Sequence, residues 1–75
     1  MSAPDIVLEL CGLVPPEPME RVLEALDQLQ PGQQIRMRID REPVPLYRIL
    51  ERNGYRYATS VLDGCLYEIL ITQAH

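Results

Sequence analysis

The chain has 75 residues, of which 47% are hydrophobic, and it carries a formal net charge of −4. A chain of this length supports only one hydrophobic core, so we expect a single domain over residues 1–75. The acidic balance argues against nucleic-acid binding, which requires a positively charged surface. No segment reaches the roughly 20 apolar residues that a membrane span requires.

The first five residues and the two cysteines predict the cellular compartment of the protein. Residues 1–5 lack the basic start and apolar core of a signal peptide. Cys11 and Cys65 are too few for a disulfide framework and do not form a close metal-binding pair. We therefore expect a cytoplasmic protein whose two thiols are reduced.

The first predicted elements are a strand and an amphipathic helix. Residues 6–11 form a short, mostly apolar run that ends at a glycine, which is typical of a strand. From Pro16 onward the apolar residues recur at helical spacing, which predicts a helix. Residues 30–32, Gln-Pro-Gly, end this helix. The helix is expected to bury five apolar residues at helical spacing: Met19, Val22, Leu23, Leu26 and Leu29.

The second half of the chain predicts a strand, a helix and a hairpin. Residues 33–40 alternate, with Ile35, Met37 and Ile39 on one side, as in a half-buried strand. A shorter helix begins at the prolines of 43–45 and ends at 53–54, with three residues directed inward: Leu46, Ile49 and Leu50. Strands over 55–62 and 65–72 are joined at Asp63-Gly64, where we expect positive φ at both turn positions.

The order of these elements is βαβαββ. Two helices cannot cover both faces of a four-stranded sheet. The sequence therefore predicts an α/β (α+β) two-layer sandwich, with a four-stranded mixed sheet and both helices on one face.

The junction between the first strand and the first helix is the main candidate site. This proline corner consists of Pro15, Pro16, Glu17, Pro18 and Met19. Its three prolines have no N–H to offer an anion, and Glu17 adds negative charge, so phosphate binding is disfavoured. Two interpretations remain: a rigid connection from strand to helix, or a surface on which a partner protein docks.

Residues 8–19 resemble the opening of the TusA/SirA-like sulfur-carrier family. That family has an acidic residue in its first strand, as at Glu9, then Gly-Leu, as at 12–13, and a Cys-Pro-x-Pro motif at the start of its first helix. Residues 30–33 are similar to its Pro-Gly turn. The resemblance covers essentially the whole domain and implies the same βαβαββ fold.

The resemblance ends at the residue that carries the family's chemistry. Family members carry a persulfide on the motif cysteine, whose thiolate is stabilised at the helix N-terminus. Pro15 stands at that position here, while Pro16 and Pro18 match the two motif prolines. The chain is therefore similar to an uncharacterised branch of the family that lacks this cysteine.

A bound metal or cofactor is not expected. Many members of that branch have a His-Asp-His-like segment before the second helix, but residues 39–41 are Ile-Asp-Arg here. Asp40 and Glu42 alone supply too few oxygen ligands for a hard cation. The resemblance thus implies neither a metal nor a haem site in this chain.

The remaining reactive side chains offer little catalytic chemistry. Cys11 is either a small buried residue at a strand end or, if exposed near arginine side chains, a substitute sulfur-carrying thiol. Cys65, after the hairpin turn, is a weaker candidate. His75, the only histidine, is the last residue, and no nucleophile–base pair can be built with it. We therefore expect no enzymatic activity.

The open face of the sheet is a second candidate surface. Arg36 and Arg38 project from it, and three tyrosines lie on the hairpin: Tyr55, Tyr57 and Tyr67. Arginine and tyrosine are enriched in protein interfaces, so a protein contact, including self-association, is weighed against a solvated face.

Two functional hypotheses follow. The first is a non-catalytic protein-interaction module that docks through the proline corner and the first helix. The alternative is a sulfur, persulfide or redox carrier that uses Cys11.

Overall fold

The computed structural model describes residues 4–73. Its elements follow in the order β1 (Ile6–Glu9), α1 (Glu17–Gln28), β2 (Ile35–Ile39), α2 (Val44–Arg52), β3 (Tyr55–Asp63) and β4 (Leu66–Gln73). The strands form one sheet in the order β1-β2-β4-β3. β1 is parallel to β2, and β4 is antiparallel to both of its neighbours. This confirms the predicted βαβαββ order and the mixed four-stranded sheet.

The core lies between the two helices and one face of the central strands. Ile35 pairs with Ile71, and Met37 with Ile69, and all four side chains are fully buried. Directly opposed residues share a face of a sheet, so these pairs make one face apolar. Buried residues of both helices, and Leu29 directly after α1, join the same cluster: Val22, Ala25, Leu29, Leu46 and Leu50. The predicted two-layer arrangement is therefore confirmed.

The buried stripe of α1 agrees only in part with the predicted one, because Val22 and Leu29 are buried whereas Met19 and Leu26 are half-buried. Leu23, expected to face inward, is 41% exposed, whereas Ala25 is buried. Residues 22, 25 and 29 follow the spacing of a single helical face, and Leu23 lies about 100° around the helix from Val22. In α2, Leu46 and Leu50 are buried as predicted, but Ile49 is only half-buried.

The hairpin turn contradicts the predicted turn geometry. β3 continues through Asp63, and the turn residues are Gly64 and Cys65. Gly64 has a φ of 60°, and no residue other than glycine has a positive φ in residues 4–73. Positive φ at the first turn position alone is the requirement of a type II′ turn, which is satisfied by Gly64 rather than Asp63.

The open face of the sheet carries a connected set of ion pairs. The Arg36 guanidinium lies 3.4 Å from Asp5 and 3.5 Å from Glu68. The Arg38 guanidinium lies 3.3 Å from Glu68 and 3.9 Å from Glu9. The charges of both arginines are thus neutralised by neighbouring carboxylates. This favours the interpretation of the open face as a solvated surface over that of a protein contact.

The tyrosines do not belong to that face. Tyr57 pairs with Ile71 and Tyr67 with Ile39, so both rings lie on the helix side and pack against the core. Tyr55 packs there as well. The expected surface that combines these tyrosines with Arg36 and Arg38 is therefore wrong.

A stacked tyrosine pair connects α2 to β3. The Tyr47 and Tyr57 rings are 4.6 Å apart and nearly parallel. Burial raises the pKa of the Tyr47 phenol, which is hydrogen-bonded to Thr59 at 2.8 Å. The pKa of Tyr57 is raised because its hydroxyl donates a 2.5 Å hydrogen bond to Glu51. Both phenols therefore remain protonated donors at neutral pH.

Candidate functional site

An apolar pocket of about 240 Å³ lies where α1 and α2 begin and β2 ends. Its floor is made of buried core residues, including Val22, Met37 and Leu46. Three exposed polar residues of the β2–α2 loop form part of its rim: Asp40, Arg41 and Glu42. The other lining residues come from the end of β2, the loop before α1 and the starts of both helices: Leu13, Pro15, Pro16, Pro18, Met19, Ile39, Pro43 and Pro45.

Both helices start with the same proline pattern, which removes hydrogen-bond donors from the pocket. Proline occupies the N-cap and the second helical position of α1 (Pro16, Pro18) and of α2 (Pro43, Pro45). The first helical N–H groups bond to backbone carbonyls of the preceding loops, Glu17 to Val14 and Val44 to Glu42, both at 3.0 Å. The helix starts are thus poor anion sites and favour an apolar occupant.

The rim carboxylate of Asp40 holds the loop that leads to the proline corner. Its Oδ2 accepts a 3.0 Å hydrogen bond from the backbone N–H of Gly12. Gly12 has a φ of 81°, a conformation that side-chain-bearing residues rarely adopt. This contact joins the end of β2 to the turn after β1, and it positions one wall of the pocket against the other.

The proline corner divides between the pocket and the surface beside it. Pro15, Pro16, Pro18 and Met19 line the pocket, as expected for a docking corner. Glu17 does not line it, because its carboxylate pairs with Arg21 at 3.0 Å along the outside of α1.

Sequence reasoning missed the other wall of the pocket. That wall consists of the β2–α2 loop and the first turn of α2, including Arg41, Pro43 and Pro45. A signal was present in the chain, because Pro-x-Pro occurs at 16–18 and again at 43–45. Because β1 and β2 are parallel and each is followed by a helix, both helices begin at the same end of the sheet, where their prolines meet.

The exposed side of α1, turned away from the residues that line the pocket, is acidic. We call it the acidic face of α1 and define it by Glu20, Glu24 and Asp27, which are all exposed. Arg21 is the one base of this helix, and it is engaged by Glu17. A ligand that extends out of the pocket and over the solvent side of α1 therefore meets negative charge.

Both thiols are exposed, so the first interpretation of Cys11, a small buried residue at a strand end, is wrong. β1 ends at Glu9, and Leu10, 1% exposed, fills the last inward position. Cys11 therefore lies in the following turn and faces solvent. Cys65 is exposed at the hairpin turn, and neither thiol lines the pocket.

Metal-ligating side chains do not cluster in residues 4–73, where no group of three or more His, Cys, Asp or Glu side chains could hold an ion. The hydrogen bond from Gly12 already occupies one oxygen of Asp40. His75, considered above as a catalytic base, lies outside the described residues.

Comparison with known proteins identifies the family. Residues 7–73 match the family model described as "Uncharacterized conserved protein (DUF2249)". No curated protein and no solved structure matches the chain. None of the helices in the described part is long and apolar enough to cross a membrane. Because the match covers all but a few residues at each end of the 75-residue chain, the chain belongs to the DUF2249 family.

Proposed function

We propose that this protein is a non-catalytic interaction module, which binds a partner protein through the pocket at the proline corner and the acidic face of α1. The observation that carries the proposal is the apolar pocket between the starts of α1 and α2. At both starts, prolines replace residues whose backbone N–H groups would otherwise be hydrogen-bond donors. Such a pocket accepts an apolar group, and its lining, within residues 4–73, contains no cysteine, serine, threonine or histidine that could act as a nucleophile.

The size and charge of the site define the partner. Apolar cavities of about 150 Å³ hold a benzene molecule, so a pocket of this size takes one large apolar side chain such as leucine, methionine or phenylalanine. The acidic face of α1 adds electrostatic complementarity to lysine and arginine. The partner segment therefore carries an apolar anchor with basic residues beside it.

The family resemblance supports the same surface. Pro16 and Pro18 match the two prolines of the Cys-Pro-x-Pro motif in TusA/SirA-like proteins, while the reactive cysteine is replaced by Pro15. We therefore propose a domain derived from a cytoplasmic sulfur carrier, which has kept the docking corner and lost the carrier chemistry.

Titration with short capped peptides tests this function. The sequence Lys-Lys-Leu-Lys-Lys is expected to shift the backbone amide resonances of Leu13, Met19 and Leu46, with a dissociation constant below about 1 mM. Replacing its leucine by serine should abolish the shifts, because the pocket then lacks an anchor. Replacing its lysines by glutamates should weaken binding through repulsion from α1. Equal shifts with the serine and leucine peptides would contradict the proposal.

A sulfur or persulfide carrier that uses Cys11 is the second candidate. The exposure of Cys11 in the turn after β1 favours it, because a carrier thiol must reach its donor. In this role the Cys11 thiolate attacks the outer sulfur of a donor persulfide, and the donor leaves as a thiolate.

Sulfur loading with the two single cysteine variants separates the candidates. If Cys11 is a carrier, intact mass after incubation with a low-molecular-weight persulfide shows one added sulfur in Cys65→Ser and none in Cys11→Ser. Cys65 is the matched control because it is equally a turn residue and exposed. Loading of both variants to the same extent would show only general thiol reactivity and remove this candidate.

A further inference from the structure

β3 is a long edge strand whose regular pairing is interrupted only near its end, between Val61 and Asp63. It pairs only with β4, and its residues 58–63 are all exposed. Natural edge strands are commonly blunted by lysine, proline or short length. β3 has nine residues, contains neither lysine nor proline, and exposes Val61 (60%) and Leu62 (44%). Its outer backbone groups therefore form a template for another strand.

The opposite edge of the sheet differs in length and charge. β1 has four residues, and the side chain of Glu9 at its end lies 3.9 Å from Arg38. Two different edges that paired head to tail would produce an open chain of copies. A short, charged β1 disfavours such a chain, whereas pairing of β3 with itself closes after two copies.

The charges of β3 are complementary to those of a second, antiparallel β3. Arg56 pairs with Thr72 and Asp63 with Leu66, so both residues of β3 lie on the open face, at opposite ends of the strand. The positions between them, 57–62, carry no charge. An antiparallel copy brings Arg56 beside Asp63 at both ends, whereas a parallel copy opposes like charges.

We propose that β3 pairs with β3 of a second copy of this chain, across a two-fold axis near Thr59, and joins the two sheets. The register shift between Val61 and Asp63 ends the regular pairing at each side. No residue of β3 lines the pocket, so both pockets remain open in the dimer. The interface is therefore independent of the proposed function.

Sedimentation velocity over protein concentrations from about 10 µM to about 1 mM measures this association directly. The dimer is expected to accumulate across this range. Arg56→Asp and Asp63→Arg each place like charges together at both ends of the interface. Each should weaken dimer association by about tenfold. The double variant exchanges the charges and should restore the dimer. Arg48→Asp, an exposed change of equal charge on α2, should leave it unchanged.

A protein that stays monomeric at about 1 mM would overturn the proposal. So would a dimer that both single variants leave intact, or one that the double variant fails to restore. Hydrogen exchange of the unaltered protein gives a second measurement that does not depend on any variant folding. The amides of residues 58–62 should become more protected as concentration rises, and unchanged protection would count against the β3 interface.

Discussion

Leu50→Ala is expected to lower the free energy of unfolding by about 3 kcal/mol, because it removes a large buried side chain and leaves a cavity. Leu50 is fully buried between α2 and the sheet. A domain of this size is stable by roughly 4–11 kcal/mol, so the loss is a large fraction of the total. Urea unfolding followed by circular dichroism measures the change.

Leu23→Ala is the matched control for that substitution. It removes the same atoms from a helix, but Leu23 is 41% exposed on the solvent side of α1. The expected loss is below about 1 kcal/mol, since little apolar surface leaves the core. Equal losses for the two variants would mean that the buried faces of the helices are assigned incorrectly.

Met19→Lys is expected to weaken binding of the Lys-Lys-Leu-Lys-Lys peptide by at least about tenfold. Met19 lies in the first turn of α1 and lines the pocket. An ammonium group there repels the basic peptide and must lose water when the apolar anchor enters. The amide titration described above measures the dissociation constant, and thermal unfolding verifies that the variant is folded.

Leu23→Lys separates the pocket from general electrostatics. It introduces the same charge on the same helix but does not line the pocket, so binding should weaken by less than about threefold. If both lysine variants weaken the peptide equally, the charge of α1 alone accounts for binding, and the anchor pocket is wrong.

The two functional candidates lead to different responses from the same chain. Met19→Lys should leave sulfur loading at Cys11 unchanged, because Cys11 does not line the pocket. Cys11→Ser should leave peptide binding unchanged for the same reason. Each experiment therefore tests one candidate without disturbing the other.

Local sequence patterns determined the order and type of every element. The alternation of Ile35, Met37 and Ile39 is visible along the chain, and all three are buried in β2 as predicted. Periodicity of this kind reflects backbone geometry, which each segment carries by itself. Two helices can cover only one face of a four-stranded sheet. The number of helices and strands therefore already predicts the two-layer fold.

The candidate site could be predicted only in part. The proline corner is a local feature, and four of its five residues line the pocket. The wall contributed by α2 is distant in the chain, and only the packing of both helices on one sheet brings the two Pro-x-Pro starts together. The pocket therefore depends on the distance in space between the two Pro-x-Pro segments, and a local sequence pattern does not determine that distance.

Only the tertiary structure decided whether Cys11, Tyr57 and Tyr67 face solvent or the core. Cys11 is exposed because β1 stops at Glu9, a boundary that depends on where pairing with β2 ends. Tyr57 and Tyr67 face the helices because the register of β3, β4 and β2 fixes the phase of each strand. A pattern of period two shows which residues share a face, but only hydrogen bonding to the neighbouring strand selects the face that meets the core.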